Sequence, residues 1–431
     1  MNWIRNRQSV QKTSINLKIF LWLFTLMVIS CSENPHQLTV NVLNSDILGI
    51  VKDTTLLAIQ DTSYQVRTQV NTQFSFRLLL GSAFGLEARP ILRFTSYLTV
   101  PDSAIVDSAK IQLSAAGSVS AGSPTPIQAT IYPALNAWTS NEDSVWSDYL
   151  LNIDRTKPLG QLQIDPSDTL DYLFELNNDG IEMVKVWADT ATAPDENCGV
   201  LIDFDQADFI QYLYAINSTK DPQLIISYHL PGDTAVYGDT LNGTYDAYIY
   251  TGSIPKIEDR NYVSSLVVNH TLLKFDLAGF LASQPNEISL LSAELQLPID
   301  LENSLIDPNY GLANQVTLKL ITDIDNPEIE VDSTNGRFAI ITSWADDSSY
   351  VVTNPDANRK NLAEMIRQQL VQPEDSNGFV ISFIDSRETS SAVSDEIEFY
   401  TYLAYYKRTH SDAANHPRLK IIYWIPASSR L

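Results

Sequence analysis

Over much of this chain, apolar and polar positions alternate with the two-residue period of a strand that buries one face. In Ser108-Ala109-Lys110-Ile111-Gln112-Leu113 the apolar residues Ala109, Ile111 and Leu113 share one side, and Lys110 and Gln112 the other. The run from Pro222 to Pro231 alternates in the same way, as does that from Pro417 to Pro426. Helical spacing is confined to two short stretches. One places Ile181, Val184 and Trp187 on a face; the other, from Asn361 to Leu370, does so with Leu362, Met365, Ile366 and Gln369. Gly199 and Gly378 punctuate the chain just before buried runs, as turn residues do.

Self-comparison shows that the pattern occurs twice. Ile91-Leu92-Arg93-Phe94 recurs as Leu272-Leu273-Lys274-Phe275, and Ser108 to Leu113 recurs as Ser292 to Leu297. Pro194-Asp195-Glu196 with Gly199 and Ile202-Asp203-Phe204 recurs as Pro373-Glu374-Asp375 with Gly378 and Ile381-Ser382-Phe383. The closing Pro222 to Pro231 recurs as Pro417 to Pro426. Four matches in one order imply duplication of a whole domain, with Gly232-Asp233-Thr234 as the linker. The expected fold is all-β: two tandem jelly-roll-like β-sandwich domains, 51–231 and 237–426, each with one short helix.

Ahead of the repeat lies a different kind of segment. Arg5, Arg7, Lys12 and Lys18 are followed by an apolar run, residues 19–30, too short to span a bilayer as a helix. Basic start, apolar core and Ser30 before Cys31 have the form of an export signal. Val28-Ile29-Ser30-Cys31 resembles the bacterial lipobox. That resemblance implies a lipoprotein signal peptide at 1–30, lipidation of Cys31, a tether at 31–50, and residence at the outer membrane or cell surface through a lipid anchor. Ser32 in the next position favours the outer membrane within that resemblance.

Charge narrows the partners. The chain has 52 acidic against 28 basic residues, a formal net charge of −24, and loss of the leader makes it more acidic still. Such a surface repels phosphate backbones, so nucleic acid is not an expected partner. With Cys31 acylated, Cys198 has no second cysteine to pair with; next to Val200-Leu201-Ile202 it is expected to be a buried structural thiol.

The repeated strands resemble the DNRLRE-type carbohydrate-binding module family. The resemblance rests on (Ile/Leu)-Leu-(Arg/Lys)-Phe, Ser-Ala-x-(Ile/Leu)-x-Leu and the closing Pro-x-Leu-x-Ile-x-Tyr. Copy one adds Ile131-Tyr132-Pro133 followed by Trp138 and Trp146, and copy two adds Phe275-Asp276-Leu277. It implies a β-sandwich and suggests polysaccharide binding. Copy two lacks the tryptophan pair, and copy one has Thr95-Ser96 where the family has Asp-Leu, so the copies need not bind alike.

Sugar sites combine flat aromatic faces with hydrogen-bonding groups. The candidates are Trp138, Trp146 and Tyr149 around the acidic loop Asn141-Glu142-Asp143, and Tyr405 and Tyr406 beside Lys407 and Arg408, with Tyr400 and Tyr402 nearby. For structural calcium, an oxygen-ligated ion, the candidates are Asp323, Asp325 and Glu328 in one acidic stretch and Asp203 and Asp205 in another. Each of these also reads as packing or as a solvated acidic face. The five histidines form no metalloprotease motif, and neither a nucleophile elbow nor a phosphate loop is present. The expected protein is thus an exported, lipid-anchored, non-catalytic binder of extracellular polysaccharide. The alternatives are a structural or protein-interaction lipoprotein of the outer membrane and a polysaccharide lyase or hydrolase, the lyase drawing on Tyr406, Arg408 and His410.

Overall fold

The structure is a computed structural model. It describes residues 49–66, 72–73, 75–94, 100–101, 103–136, 138, 152–167, 170–188, 197–216, 218–284, 287–305, 316–321, 338–341, 344–345, 349–352, 362–371, 378–383 and 400–427. The chain is mostly strand, arranged as an all-β, two-domain sandwich. The leader and Cys31 lie outside the described residues.

After a first strand β1 (Ile50–Gln65), the first half of the chain runs β2 (Arg77–Ala83), β3 (Leu86–Phe94), β4 (Ile105–Ser120), β5 (Ile127–Pro133), β6 (Gly160–Ile164) and β7 (Asp171–Glu175). Helix α1 (Asn178–Ala188) follows, then β8 (Val200–Phe204), β9 (Phe209–Tyr214) and β10 (Gln223–His229). The second half begins with β11 (Val236–Gly252), β12 (Arg260–Ser264), β13 (Asn269–Phe275), α2 (Leu277–Ala282) and β14 (Ser289–Pro298). It continues with β15 (Val316–Leu320), β16 (Phe338–Ile341), β17 (Trp344–Ala345), β18 (Ser349–Val352), α3 (Leu362–Val371), β19 (Phe379–Phe383), β20 (Tyr402–Tyr406) and β21 (Arg418–Ile425).

The alternation seen in the sequence is the alternation of burial. Ala109, Ile111 and Leu113 of β4 are buried while Lys110 and Gln112 sit at the surface; Lys110 Nζ reaches Glu175 Oε1 of β7 at 2.7 Å. In β21, Leu419, Ile421, Tyr423 and Ile425 point inward by turns. The two helices with readable periodicity form as expected: α1 buries Val184 and Trp187, and α3 buries Leu362, Met365, Ile366 and Gln369. A further short helix, α2, starts within Phe275-Asp276-Leu277, where Asp276 Oδ1 accepts from Gly279 N at 2.8 Å as an N-cap. Among the described residues, the second half therefore has two α-helices where one was expected.

The two halves repeat their pairings. β3 lies against β8 with Leu92 opposite Val200, and β13 lies against β19 with Leu273 opposite Phe379. β8 pairs with β5, which pairs with β6; likewise β19 pairs with β15, which pairs with β16. The glycines before β8 and β19 meet the same steric demand. At φ of 81° and 93°, Gly199 and Gly378 pass so close to the carbonyls of Leu92 and Leu273 that a Cβ would overlap them. Their own carbonyls accept from Ala134 N and Ile321 N at 3.0 and 3.1 Å.

Sheet membership departs from chain order in one respect. β11 follows the linker, yet it pairs with β10 from His229–Val236 to Gln223–Asn242, then with β3 from Phe94–Gly243 to Leu86–Gly252. A register shift between Gly243 and Tyr245 lets this one strand serve both partners. β1 takes the corresponding place beside β13 and β21, pairing from Ala58–Phe275 to Gln65–Asn269. The opening strand of each repeat thus sits in the sheet of the other. Aligning the two strands by their partners brings Thr55, Leu56 and Asp61 onto Thr240, Leu241 and Asp246, a further match between the repeats.

By contacts, the chain divides into a small unit (Met1–Asp53, Gln284–Leu291, Ile422–Leu431) and a large one (Thr54–Ser283, Ser292–Ile421). Within the large unit, one apolar core runs from Leu78, Leu80 and Phe94 through Tyr248 and Tyr250 to Leu266, Val268, Tyr400 and Tyr402. Polar groups pin the same contact: Tyr400 Oη donates to Phe84 O at 2.8 Å and Tyr250 Oη to Leu266 O at 2.7 Å.

Candidate functional site

The structure redistributes the expected sugar-site residues. Trp138 is 1 % exposed, packed with Ile91, Ile153, Cys198, Leu201 and Ile249, and its Nε1–H donates to Cys198 O at 2.9 Å. A buried indole with its donor satisfied is a core residue, so Trp138 offers no face to a ligand. Cys198 is buried in the same cluster. Trp146 and Tyr149 lie outside the described residues. Tyr405 is 2 % exposed, and burial drives its hydroxyl pKa well above the usual value, so it too belongs to the interior. Tyr400 and Tyr402 are likewise buried, their rings in edge contact. Tyr406, half-buried, alone of these four tyrosines stays at the surface.

The calcium candidates fare similarly. Asp323, Asp325 and Glu328 lie outside the described residues. Asp203 is committed to cations already in the protein: Oδ1 to Arg89 Nε, and Oδ2 to Arg155 Nε at 2.7 Å. Burial would raise its pKa, but the two arginines and Phe204 N–H outweigh that and hold the carboxyl below its usual value. A carboxylate with both oxygens engaged is an ion-pair centre, which replaces the expected role as a metal ligand. Asp205 is exposed beside it. Among the described residues, no group of three or more His, Cys, Asp or Glu side chains is placed to hold a metal ion.

The residues that do converge lie on β1, β12 and the segment just before it, the start of β13 and the turn after β20. They line a cleft of about 600 Å³, within the range of ligand pockets. One wall is β1, with Asp61, Thr62 and Ser63. The opposite side carries Lys256, Glu258, Arg260, Asn261 and Tyr262, and Lys407, Arg408 and Thr409 close it.

Polar contacts fix this frame. Asn261 is fully buried; its Nδ2 donates to Asp61 Oδ2 at 2.8 Å, and its Oδ1 accepts from Ser63 N and Ser63 Oγ, each at 3.2 Å. Asp61 also accepts from Arg408 N at 2.7 Å and faces Arg408 Nε at 3.6 Å. Burial raises the Asp61 pKa in spite of those donors and of the Arg408 charge. Arg260 Nε donates to Asp300 Oδ2 at 2.6 Å, and its guanidinium stands 3.9 Å over the Tyr406 ring. For Asp300, burial is opposed by the bonds from Arg260 and Asn303, which keep its carboxyl ionised below the usual value. Lys407 Nζ donates to Glu258 O at 2.6 Å, and the His410 ring meets the Tyr406 edge at 4.7 Å between centroids.

Electrostatically the cleft inverts the chain. Four basic residues (Lys256, Arg260, Lys407 and Arg408) face two acidic ones, Asp61 and Glu258, in a protein with nearly twice as many acids as bases. Fixed donors in a concave, partly desolvated site have the chemistry to pair with anionic or hydroxyl-bearing groups. Of these residues the sequence had drawn attention only to Lys407 and Arg408, through the tyrosines beside them. Asp61, Lys256 and Arg260 lie far from them along the chain, and no sequence signal marks them, since basic residues as close together recur at Arg89 and Arg93 and at Arg155 and Lys157.

No protein-family profile matches the chain, and no curated protein does. Among solved structures, a chain from "Structure of the Macrobrachium rosenbergii Nodavirus" is 12 % identical, over 91 % of this chain and 94 % of that one, with a TM-score of 0.12. Likeness at that score carries no argument about fold or function.

Proposed function

We propose that the chain is an exported, lipid-anchored protein that binds extracellular polysaccharide in the cleft between β1, β12 and the turn after β20. The observation that carries this reading is a basic, donor-rich cleft in a strongly acidic chain. Guanidinium and ammonium groups beside the exposed hydroxyls of Thr62 and Thr409 suit a sugar with hydroxyls on its rim and a carboxylate on some of its units. The β-sandwich, the resemblance of its strands to a carbohydrate-binding family and the leader ending at Cys31 support the same reading.

Affinity electrophoresis of the mature chain through gels holding neutral or carboxylated polysaccharides tests it. Retention is expected on a carboxylated polymer, lost in Lys256→Glu/Lys407→Glu, whose side chains lie at the cleft surface. Migration unchanged by every polysaccharide, with or without calcium, sinks the proposal. Labelled palmitate incorporated by the wild type and not by Cys31→Ala tests the anchor separately.

A lyase is the second reading, favoured by the His410 ring against the edge of Tyr406, whose face the cleft residue Arg260 covers, with Arg408 in the cleft lining. Asp412 N donates to His410 Nδ1 at 3.1 Å, which places the ring proton on Nε2 in the neutral form. Release of unsaturated chain ends, followed by ultraviolet absorbance, decides between binding alone and cleavage.

A further inference from the structure

β1 and β11 hold matching places, but the chain reaches them by different routes. β11 follows β10 through a tight turn in which Asp233 N donates to Leu230 O at 2.9 Å. β1 instead precedes its neighbours β13 and β21 by the entire first half of the chain. In the second sandwich it fills the position that β11 fills in the first: the closing strand, here supplied from the N-terminal side.

We propose that β1 is an exchangeable closing strand. The groove between β13 and β21 of one copy takes β1 of a second copy, and the two chains then share their candidate sites. Three observations carry this.

The first is how little β1 buries. Of its sixteen residues only Ala58 is buried, while Ile50, Val51, Leu57 and Ile59 are each about half exposed. β11 buries Leu241 and the unbroken run Asp246 to Tyr250. β1 is thus held by its backbone ladders and a few polar contacts, and leaving the groove exposes little apolar surface.

Secondly, the contacts holding β1 run to the second half of the chain. They include the ladder to β13, Ala58 N to Pro417 O beside β21, Val66 N to Val268 O, Ser63 to Asn261 and Asp61 to Arg408. Such contacts are the same whether the strand comes from its own chain or from another, which is the condition for low-cost swapping. Reciprocal exchange closes a dimer, and one-way exchange runs on head to tail.

The third observation is that the cleft is composite. Its Asp61–Ser63 wall belongs to β1, and the remaining lining comes from the second half. A copy that has lost its own β1 has an incomplete cleft until another β1 enters, so exchange and site assembly are one event. The proposal does not depend on what the cleft binds.

Register partners Tyr64 and His270, with ring centroids 6.3 Å apart, provide the test. Mature Tyr64→Cys and His270→Cys single variants are mixed at high concentration, unfolded and refolded together, and oxidised. An interchain disulfide joining the two variants is expected, in a yield that rises with concentration; the double variant should link within the chain when dilute. A double variant that links internally while mixed single variants never link at any concentration overturns the proposal. A second readout needs no disulfide. Two differently tagged wild-type chains refolded together should co-purify, and excess peptide of residues 49–66 should separate them. Tags that never co-purify overturn it regardless of the cysteine variants.

Discussion

Asp246 and Asp61 occupy the same place in the two sandwiches, and they show what one neighbour does to a buried carboxylate. Each accepts a backbone N–H from a residue just after matching strands of the two halves, Ile216 after β9 for Asp246 and Arg408 after β20 for Asp61. Beside Asp61 stands the Arg408 guanidinium; Asp246 instead feels the like charge of Asp221. Burial, reinforced by Asp221, pushes the Asp246 pKa up to about 7. The folded state therefore keeps a proton that the unfolded chain releases near pH 4. Stability contributed by this group is full below pH 4, declines as pH rises towards 7, and is flat above. Asp246→Asn keeps an acceptor for Ile216 N and cannot ionise. Urea titrations should find it more stable than wild type at pH 8, by at most about 4 kcal/mol, with the difference closing by pH 4. An unchanged difference across that range would show that Asp246 does not titrate as described. Such a residue is hard to read from sequence, since an acid within a strand has the pattern of a solvent-facing position; only the sheet pairing reveals that it is buried. Trp138 erred the other way. Beside an acidic loop it looked like a ligand platform, but a carbonyl within the core satisfies its one donor. The turn glycines were legible because a left-handed residue before a buried run leaves a fixed sign in the sequence.

Among the elements, the strands with one buried face were the most legible and β1 the least. β4 and β21 alternate cleanly because one side meets the core along the strand's length. β1 pairs on both edges yet buries only Ala58, so its hydrophobic pattern neither fixes its partners nor marks it as part of the second half. α2 escaped for another reason: at six residues it is shorter than the window in which helical periodicity can be seen, and its only sign is the Asp276 cap. The face assignment of β1 can be checked directly. Ala58→Glu places a charge at the one buried position and should cost about 3 kcal/mol or more in urea unfolding. Leu57→Glu, on a side chain 49 % exposed, should stay within about 0.5 kcal/mol of wild type. Equal costs at the two positions would mean that β1 does not present Ala58 inward. The same pair separates strand docking from cleft chemistry, because neither residue lines the cleft.

For the whole molecule, duplication was visible in order and spacing, but the cut between the copies is a statement about sequence, and strand pairing follows a different division. After Gly232 the chain folds straight back as β11 onto β10, the locally cheapest pairing, which leaves the second sandwich to be closed from a distance. β21 and β1 are antiparallel neighbours, with Ala58 N bonded to Pro417 O at 3.0 Å. Joining the end of β21 to the start of β1 by a short turn would copy the β10–β11 hairpin. A circular permutant that begins near residue 67 and carries residues 49–66 after residue 427 should therefore fold with the same sheets. Replacing a long closure by a short one should stabilise the docking of β1 by roughly 1–3 kcal/mol, seen as a higher urea midpoint. Covalent attachment to β21 also raises the strand's effective concentration at its own groove, so the permutant should remain monomeric where wild-type chains exchange. A permutant that folds, keeps its cleft and still exchanges would mean that copies associate through some other surface. One that cannot fold would mean that β1 must enter from the N-terminal side, and that its place in the second sandwich depends on the order in which the halves form.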